Sequence, residues 1–262
     1  MDHIRPSLSN SLAIQARVFN ALAIRFIMTR YGRDNLGFLW IIIEPMLLCV
    51  GVMAVWSLMQ SPYKHGVALI VFVLTGYMPL TLQRHTSSAC VFILRSSKSI
   101  IVHRNITYFD NLLSRLGMEF IAVTFATVVI FTALFMFRLI DPIYDYRLVL
   151  IGWFMMFCLS SGFGCILAGL SASSELIEKF IQPINYLMLP LSGCFFMVSW
   201  FPEKVQDVVL YMPFVHAFEM IRAGMLGPSI PSHFSIAYGY GCGFVMIAIG
   251  FLLVERSRDN VL

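Results

Sequence analysis

The sequence predicts an all-α membrane protein with six transmembrane helices. An N-terminal amphipathic interfacial helix precedes them, and short outer re-entrant helices lie between spans five and six. Three observations lead there. Of 262 residues, 59% are hydrophobic and only 12% charged, with a mean hydropathy of +0.81; a soluble domain is about half apolar and about a quarter charged. Six stretches reach or approach the roughly 20 apolar residues that cross a hydrocarbon core. Lys and Arg, finally, fall unevenly between alternate connections. With so little polar surface, lipid is the natural solvent, and a net charge of +4 gives nucleic-acid binding no support.

Residues 10–33 come first. Ile14, Val18, Leu22 and Phe26 recur every four positions among arginines, the pattern of a helix lying in the cytoplasmic interface. Span one, 37–59, carries Glu44 before Pro45, a carboxylate beside a residue that frees a backbone carbonyl one turn back. Span two, 67–94, is cleanest from Val67 to Leu82 and then meets Arg84 and His85. A basic, polar connection over 95–112 leads to span three, 116–137, where Glu119 reads as a carboxylate at the cytoplasmic interface. Span four, 148–170, sets Ser160, Gly164, Ala168 and Ala172 four apart, a small-residue stripe for close helix packing within or between subunits. Span five, 176–198, holds Pro183 and Pro190, which neighbouring helices can accommodate. Residues 199–234 are too apolar for an ordinary loop, yet Pro202, Pro213, Gly224, Gly227 and Pro228 interrupt them, as expected of short helices dipping into the outer interface. Span six, 235–254, contains Gly239, Gly241 and Gly243, read as a packing face rather than a phosphate loop. No internal repeat and no long soluble domain is visible; 1–262 reads as one transmembrane domain.

Orientation follows from the cations. With both termini in the cytoplasm, the inner side collects Arg5, Arg17, Arg25, Arg30, Arg33, Arg84, Arg95, Lys98, Arg104, Arg115, Lys179, Arg256 and Arg258. The outer side keeps Lys64, Arg138, Arg147, Lys204 and Arg222. The start of the chain lacks an early apolar core, so no cleaved signal peptide is expected.

Chemistry is sparse. No GxxxxGK[ST] occurs, so ATP hydrolysis through a P-loop is not expected of this chain. Six cysteines (Cys49, Cys90, Cys158, Cys165, Cys194, Cys242) are scattered through apolar segments and read as buried free thiols. His216 and Glu219 share a helical face in HxxE spacing. Without a second ligand pair they read as a hydrogen-bonded cap rather than a metal site. No nucleophile, base or metal cluster assembles an enzyme, so the chain is read as not catalytic by itself, binding no cofactor and no metal.

Several runs are familiar together. Thr29-Arg30-Tyr31-Gly32-Arg33, Leu36-Gly37-Phe38-Leu39-Trp40 and Glu44-Pro45 resemble the first-span signature of polysaccharide-exporting ABC transporter permeases, nearest the capsular polysaccharide permeases of the KpsM type. His103-Arg104-Asn105-Ile106-Thr107, with Asp110, Arg115 and Glu119, resembles that family's connection between spans two and three. Met188 to Gly193, Phe195-Phe196-Met197, Trp200-Phe201-Pro202 and Met212 to Gly224 resemble its fifth span and outer segment. The similarity runs through nearly the whole chain.

The resemblance implies a homodimer in the bacterial inner membrane with a translocation path between subunits. It also implies two copies of a cytoplasmic ATPase, which bind the ATP and Mg, a periplasmic adaptor and an outer-membrane export protein. The implied substrate is an acidic capsular polysaccharide, often glycolipid-terminated. A coupling helix in the second connection makes Lys98, His103, Arg104, Asn105 and Asp110 candidates for ATPase contact, with Ser171 to Lys179 a weaker one. Physical reasoning adds a substrate path. Cations at the inner mouth (Arg25, Arg30, Arg33, Arg84, His85) would attract a polyanion, and Phe38, Trp40, Tyr77 and Trp56 could stack on sugar faces. Glu44 is a candidate gate or hinge, and equally a carboxylate that anchors a helix pair or the amphipathic N-terminal segment. Interfacial anchoring competes for Trp56 and Trp200, and anionic headgroups compete for most of the arginines. Trp200, His216, Glu219 and Arg222 mark the outer re-entrant segment. Export of O-antigen, teichoic acid or another lipid-linked glycan is the nearest alternative; an ion-coupled transporter or a membrane-embedded glycolipid enzyme is further off.

Overall fold

The computed structural model describes residues 36–59, 63–64, 67–96, 108–173 and 175–261, together with Arg17, Phe19, Asn20, Ala21 and Ile24. Its long helices are α1 (Leu36–Met59), α2 (Leu69–Ser96), α3 (Tyr108–Met136), α4 (Tyr146–Ser173) and α5 (Glu175–Leu191). Two short ones, α6 (Glu203–Val209) and α7 (Pro213–Leu226), precede α8 (Ile236–Val261). Among the described residues, Asp110–Met136, Tyr146–Ser171 and Ile236–Arg256 are long and apolar enough to cross a membrane.

Differences from the sequence expectations have local causes. Span two does not begin at residue 67, because Val67–Ala68 pairs antiparallel with Tyr63–Lys64 as a minimal hairpin, Tyr63 opposite Ala68. The helix of span three starts at Tyr108, inside the expected polar connection. Asp110 lies in its first turn, where a carboxylate complements the positive end of the helix dipole. Span five ends at Leu191 rather than 198. Pro190 sits at its end, Gly193 takes φ +95°, a left-handed conformation that glycine adopts without a Cβ penalty, and the chain continues as a turn to the short 3-10 segment Val198–Trp200. Span six continues as helix to Val261, well past its apolar part. The interfacial helix of 10–33 lies mostly outside the described residues. Its described positions are helical, and the Phe19 ring packs where a Gly117 Cβ would stand, 3.0 Å from that point.

Helix α4 is the hub, packing on α8, α2, α7 and α5 and meeting α3 through Phe120 against Phe154 and Phe157. The expected glycine face of span six turns toward it. Gly239 meets Met155 and Gly243 meets Cys158 and Leu159, while Gly241 faces open space. On α4, Gly162 admits Met246 and Ile247 of α8, and Gly164 of the predicted small-residue stripe admits Ser87 and Cys90 of α2. These contacts lie within the chain. Exposed large apolar side chains run along α3 (Ile121, Phe125, Val128) and α8 (Phe244, Val245, Leu252), the reverse of a water-soluble helix. The six cysteines are free: Cys49, Cys90, Cys165 and Cys194 are buried, and Cys158 and Cys242 are half-buried.

Candidate functional site

At the end of α5 the chain turns sharply, and the carbonyls of the turn need donors. Arg222 of α7 supplies them. Its Nη1 donates to the carbonyls of Gly193 (2.8 Å) and Phe196 (2.5 Å), and its Nη2 to that of Cys194 (2.7 Å). The guanidinium stacks 4.7 Å from the centre of the Phe72 ring on α2. Gly76, one turn along α2, has no side chain to obstruct this approach; a Cβ there would stand 2.6 Å from the Cys194 carbonyl oxygen.

One turn earlier, Glu219 faces the same turn from beside Arg222, with 3.9 Å between Oε1 and Nη1. Its Oε1 accepts the Val198 N–H (3.1 Å) and its Oε2 the His233 N–H (3.3 Å). Burial raises this carboxyl above its ordinary pKa, opposed by Arg222 and the two N–H donors. His216, a further turn back, accepts the Ser235 N–H at Nδ1 (3.0 Å), which fixes the neutral tautomer with its hydrogen on Nε2, 2.9 Å from the Leu210 carbonyl. Burial lowers its pKa and the Leu210 carbonyl works the other way. Both imidazole nitrogens are thus committed, as the expected hydrogen-bonded cap requires. Together the three side chains bind α7 to the turn after α5 and to the lead-in of α8.

Several aromatics gather on the same clasp. Trp56 of α1 stacks on Phe72 (centroids 6.0 Å apart), Phe72 lies 5.0 Å from Trp200, and Trp56 lies 6.2 Å from Phe195. Beside them a narrow apolar crevice is lined by Trp56, Phe72, Gly76, Tyr77, Cys194 and Phe195. Tyr77, a substrate-path candidate, is therefore a buried wall of this crevice. Trp56 and Trp200, read from sequence as interfacial anchors, are also partners of Phe72.

The inner-mouth candidates divide. Arg84 is exposed on α2, whereas His85 beside it points its Nδ1 to Glu119 Oε2 of α3 at 3.3 Å. Glu119 is 3% exposed and also meets Arg115 one turn before it, Nη2 to Oε1 at 3.4 Å. The interface carboxylate expected at Glu119 is thus a buried bridge between two helices. The cue was present in the sequence as Arg and Glu at i and i+4 in a segment with few other charges, but the partner helix was not. Arg25, Arg30, Arg33, Lys98, His103, Arg104 and Asn105 lie outside the described residues. Phe38, Trp40 and Glu44 lie within α1, with their side chains outside them. Of the coupling candidates, Asp110 is described, half-buried at the start of α3.

The sequence profile of ABC-2 type transporter membrane proteins matches residues 17–226. The chain belongs to the ABC-2 type transporter family. It is 34% identical over 257 residues to the capsule polysaccharide export inner-membrane protein CtrC of Neisseria meningitidis serogroup A, covering 98% of this chain and 97% of that one. Identity to BexB of Haemophilus influenzae, which bears the same description, is 30% over the same shares. The polysialic acid transport protein KpsM of Escherichia coli is 21% identical over 249 residues, 95% of this chain and 96% of its own. The resemblance drawn from the motifs is that of the family found.

Proposed function

We propose that the chain is the membrane permease subunit of an ABC exporter that carries an acidic capsular polysaccharide, in glycolipid-terminated form, across the bacterial inner membrane. The observation that carries this is the end-to-end match to CtrC and BexB, which leaves no part of either relative without a counterpart large enough to be a separate domain. In this reading, α1 to α5 and α8 make six spans with both termini cytoplasmic. The segment holding α6 and α7 is re-entrant on the periplasmic side. Two copies form the path, and two copies of a separate ATPase bind ATP and Mg and drive it through the second connection, with a periplasmic adaptor and an outer-membrane protein beyond. Exposed Arg84 suits the inner mouth of a path for a polyanion.

The test is complementation. The gene, expressed with its ATPase in a strain lacking the matching permease, should restore surface capsule detected by antibody. The purified chain alone should not hydrolyse ATP. Capsule retained inside the complemented cells at normal protein levels would overturn the assignment.

A further inference from the structure

Helices α2 and α3 are the two arms of a hairpin whose tip is the second connection. His85 lies eleven residues before Ser96, where α2 ends, and Glu119 eleven residues after Tyr108, where α3 begins. Both therefore stand about 16 Å from the tip at 1.5 Å per residue. There the Glu119 carboxylate divides its oxygens, Oε1 to Arg115 on its own helix and Oε2 to His85 across the hairpin. A carboxylate this deeply buried is costly unless its partners stay in place.

The other side of α2 is joined differently. Toward α4 it offers a long neutral hydrogen bond, Ser87 Oγ to the Ser160 carbonyl at 3.4 Å, and thiol contacts, Cys90 Sγ to the Ser161 carbonyl at 4.0 Å and to Cys165 Sγ at 3.9 Å. Gln83 Oε1 and Thr86 Oγ1 of α2 and Ser161 Oγ of α4 are buried without a hydrogen-bond partner among the described residues. Thr75 and Thr81 on the same helix do bond back to their own backbone. A carboxylate–imidazole hydrogen bond thus joins α2 to α3, while the polar contacts of α2 toward α4 are long or unmet.

We propose that Glu119 is a positioning residue for transport. Its bridge to His85 makes the α2–α3 hairpin one lever, which carries a push at its tip into the membrane. This rests on the reading above that the second connection meets the ATPase. Without the bridge the two arms shear, and ATP is hydrolysed without moving polysaccharide.

The test uses the full chain assembled with its ATPase. Turnover is measured on the complex in liposomes, and export as surface capsule at matched protein levels. Glu119→Gln keeps the side-chain shape and removes the charge. It should leave ATP turnover within about twofold of the parent and lower export relative to turnover by about tenfold, the scale of a coupling between sites. His85→Gln should act in the same direction, and the double variant should be no worse than Glu119→Gln alone, because both break one contact. Unchanged export per ATP in Glu119→Gln, or additive losses in the double variant, would overturn the proposal. If Glu119→Gln fails to accumulate, His85→Gln carries the same test, since it leaves the Arg115–Glu119 pair intact. A His103→Ala/Arg104→Ala variant separates the underlying reading. Normal ATPase binding there, with Glu119→Gln uncoupled, sinks the assigned contact and supports the bridge. Lost binding there, with Glu119→Gln fully coupled, sinks the bridge alone.

Discussion

Arg222 is a buried cation whose charge is met mostly by backbone. A guanidinium suits that role because its planar fork can reach several carbonyls at once while one face lies on an aromatic ring. Truncation would strand the Gly193, Cys194 and Phe196 carbonyls as well as Glu219. Arg222→Ala should therefore destabilise the protein by about 3–5 kcal/mol, the usual cost of breaking a buried pair from one side. Arg222→Lys should recover only part of that, because a single ammonium cannot span the turn; thermal unfolding in lipid nanodiscs would rank the three. His216 gives a pH signature. Its folded pKa lies below the ordinary value of about 6.5, so the unfolded chain takes up the proton first. The stability that the neutral ring contributes is complete above that pH and is lost as pH falls through it toward the depressed folded value. Unfolding temperatures should drop as pH falls below about 6.5. The Tyr238 ring, 5.0 Å away, faces this group as well, so the comparison is with His216→Gln, which should show the smaller drop.

The two short helices of the outer segment differ in kind. Helix α7 buries every residue from Phe214 to Gly224, whereas α6 buries none. The first is core, propped between the turn after α5 and helices α2 and α4; the second lies on the surface. The long helices owe their close approach to missing side chains. An Ala at Gly162 would place its Cβ 2.7 Å from Met246 Cβ and 2.8 Å from the Ile247 backbone nitrogen. Such overpacking of α4 against α8 should cost about 1–3 kcal/mol. Gly241, with nothing within 4 Å, should behave oppositely. Gly241→Ala relieves the entropic cost of glycine in a helix, worth about 0.5–1 kcal/mol. Equal effects at the two positions would mean that the α4–α8 face is assigned to the wrong glycines.

Across the whole molecule, α4 ties the two ends together, since it contacts α2 near the Glu119 bridge and α7 near the Arg222 clasp. The proposed topology makes a direct statement about sidedness. Lys179, at the start of α5, and Lys204, in α6, are both exposed, yet they fall on opposite sides of the membrane in this reading. In a background with Cys158 and Cys242 replaced by serine, Lys204→Cys should react with a membrane-impermeant maleimide in intact cells. Lys179→Cys should react only after lysis. Labelling of both in intact cells would refute the orientation.

Three helices long and apolar enough to cross a membrane, and the family, were legible in the sequence, because hydrophobic length and motif are properties of the chain itself. Gly239 and Gly243 of span six and the HxxE pair were legible too, since helical spacing alone puts each pair on one face. Partners were not. Arg222 counted in the sequence as one more outer cation, and only the fold brings it to carbonyls nearly thirty residues earlier in the chain. Glu119 read as an interface carboxylate until α2 supplied His85. Span five looked longer than it is because its last residues are apolar. They are apolar to pack in a turn against α7 and α2, and hydropathy does not distinguish burial in protein from burial in lipid. Sequence set which segments are apolar enough to leave water. Tertiary structure decided what their few polar groups meet there, because a buried charge is stable only where another part of the chain comes to answer it.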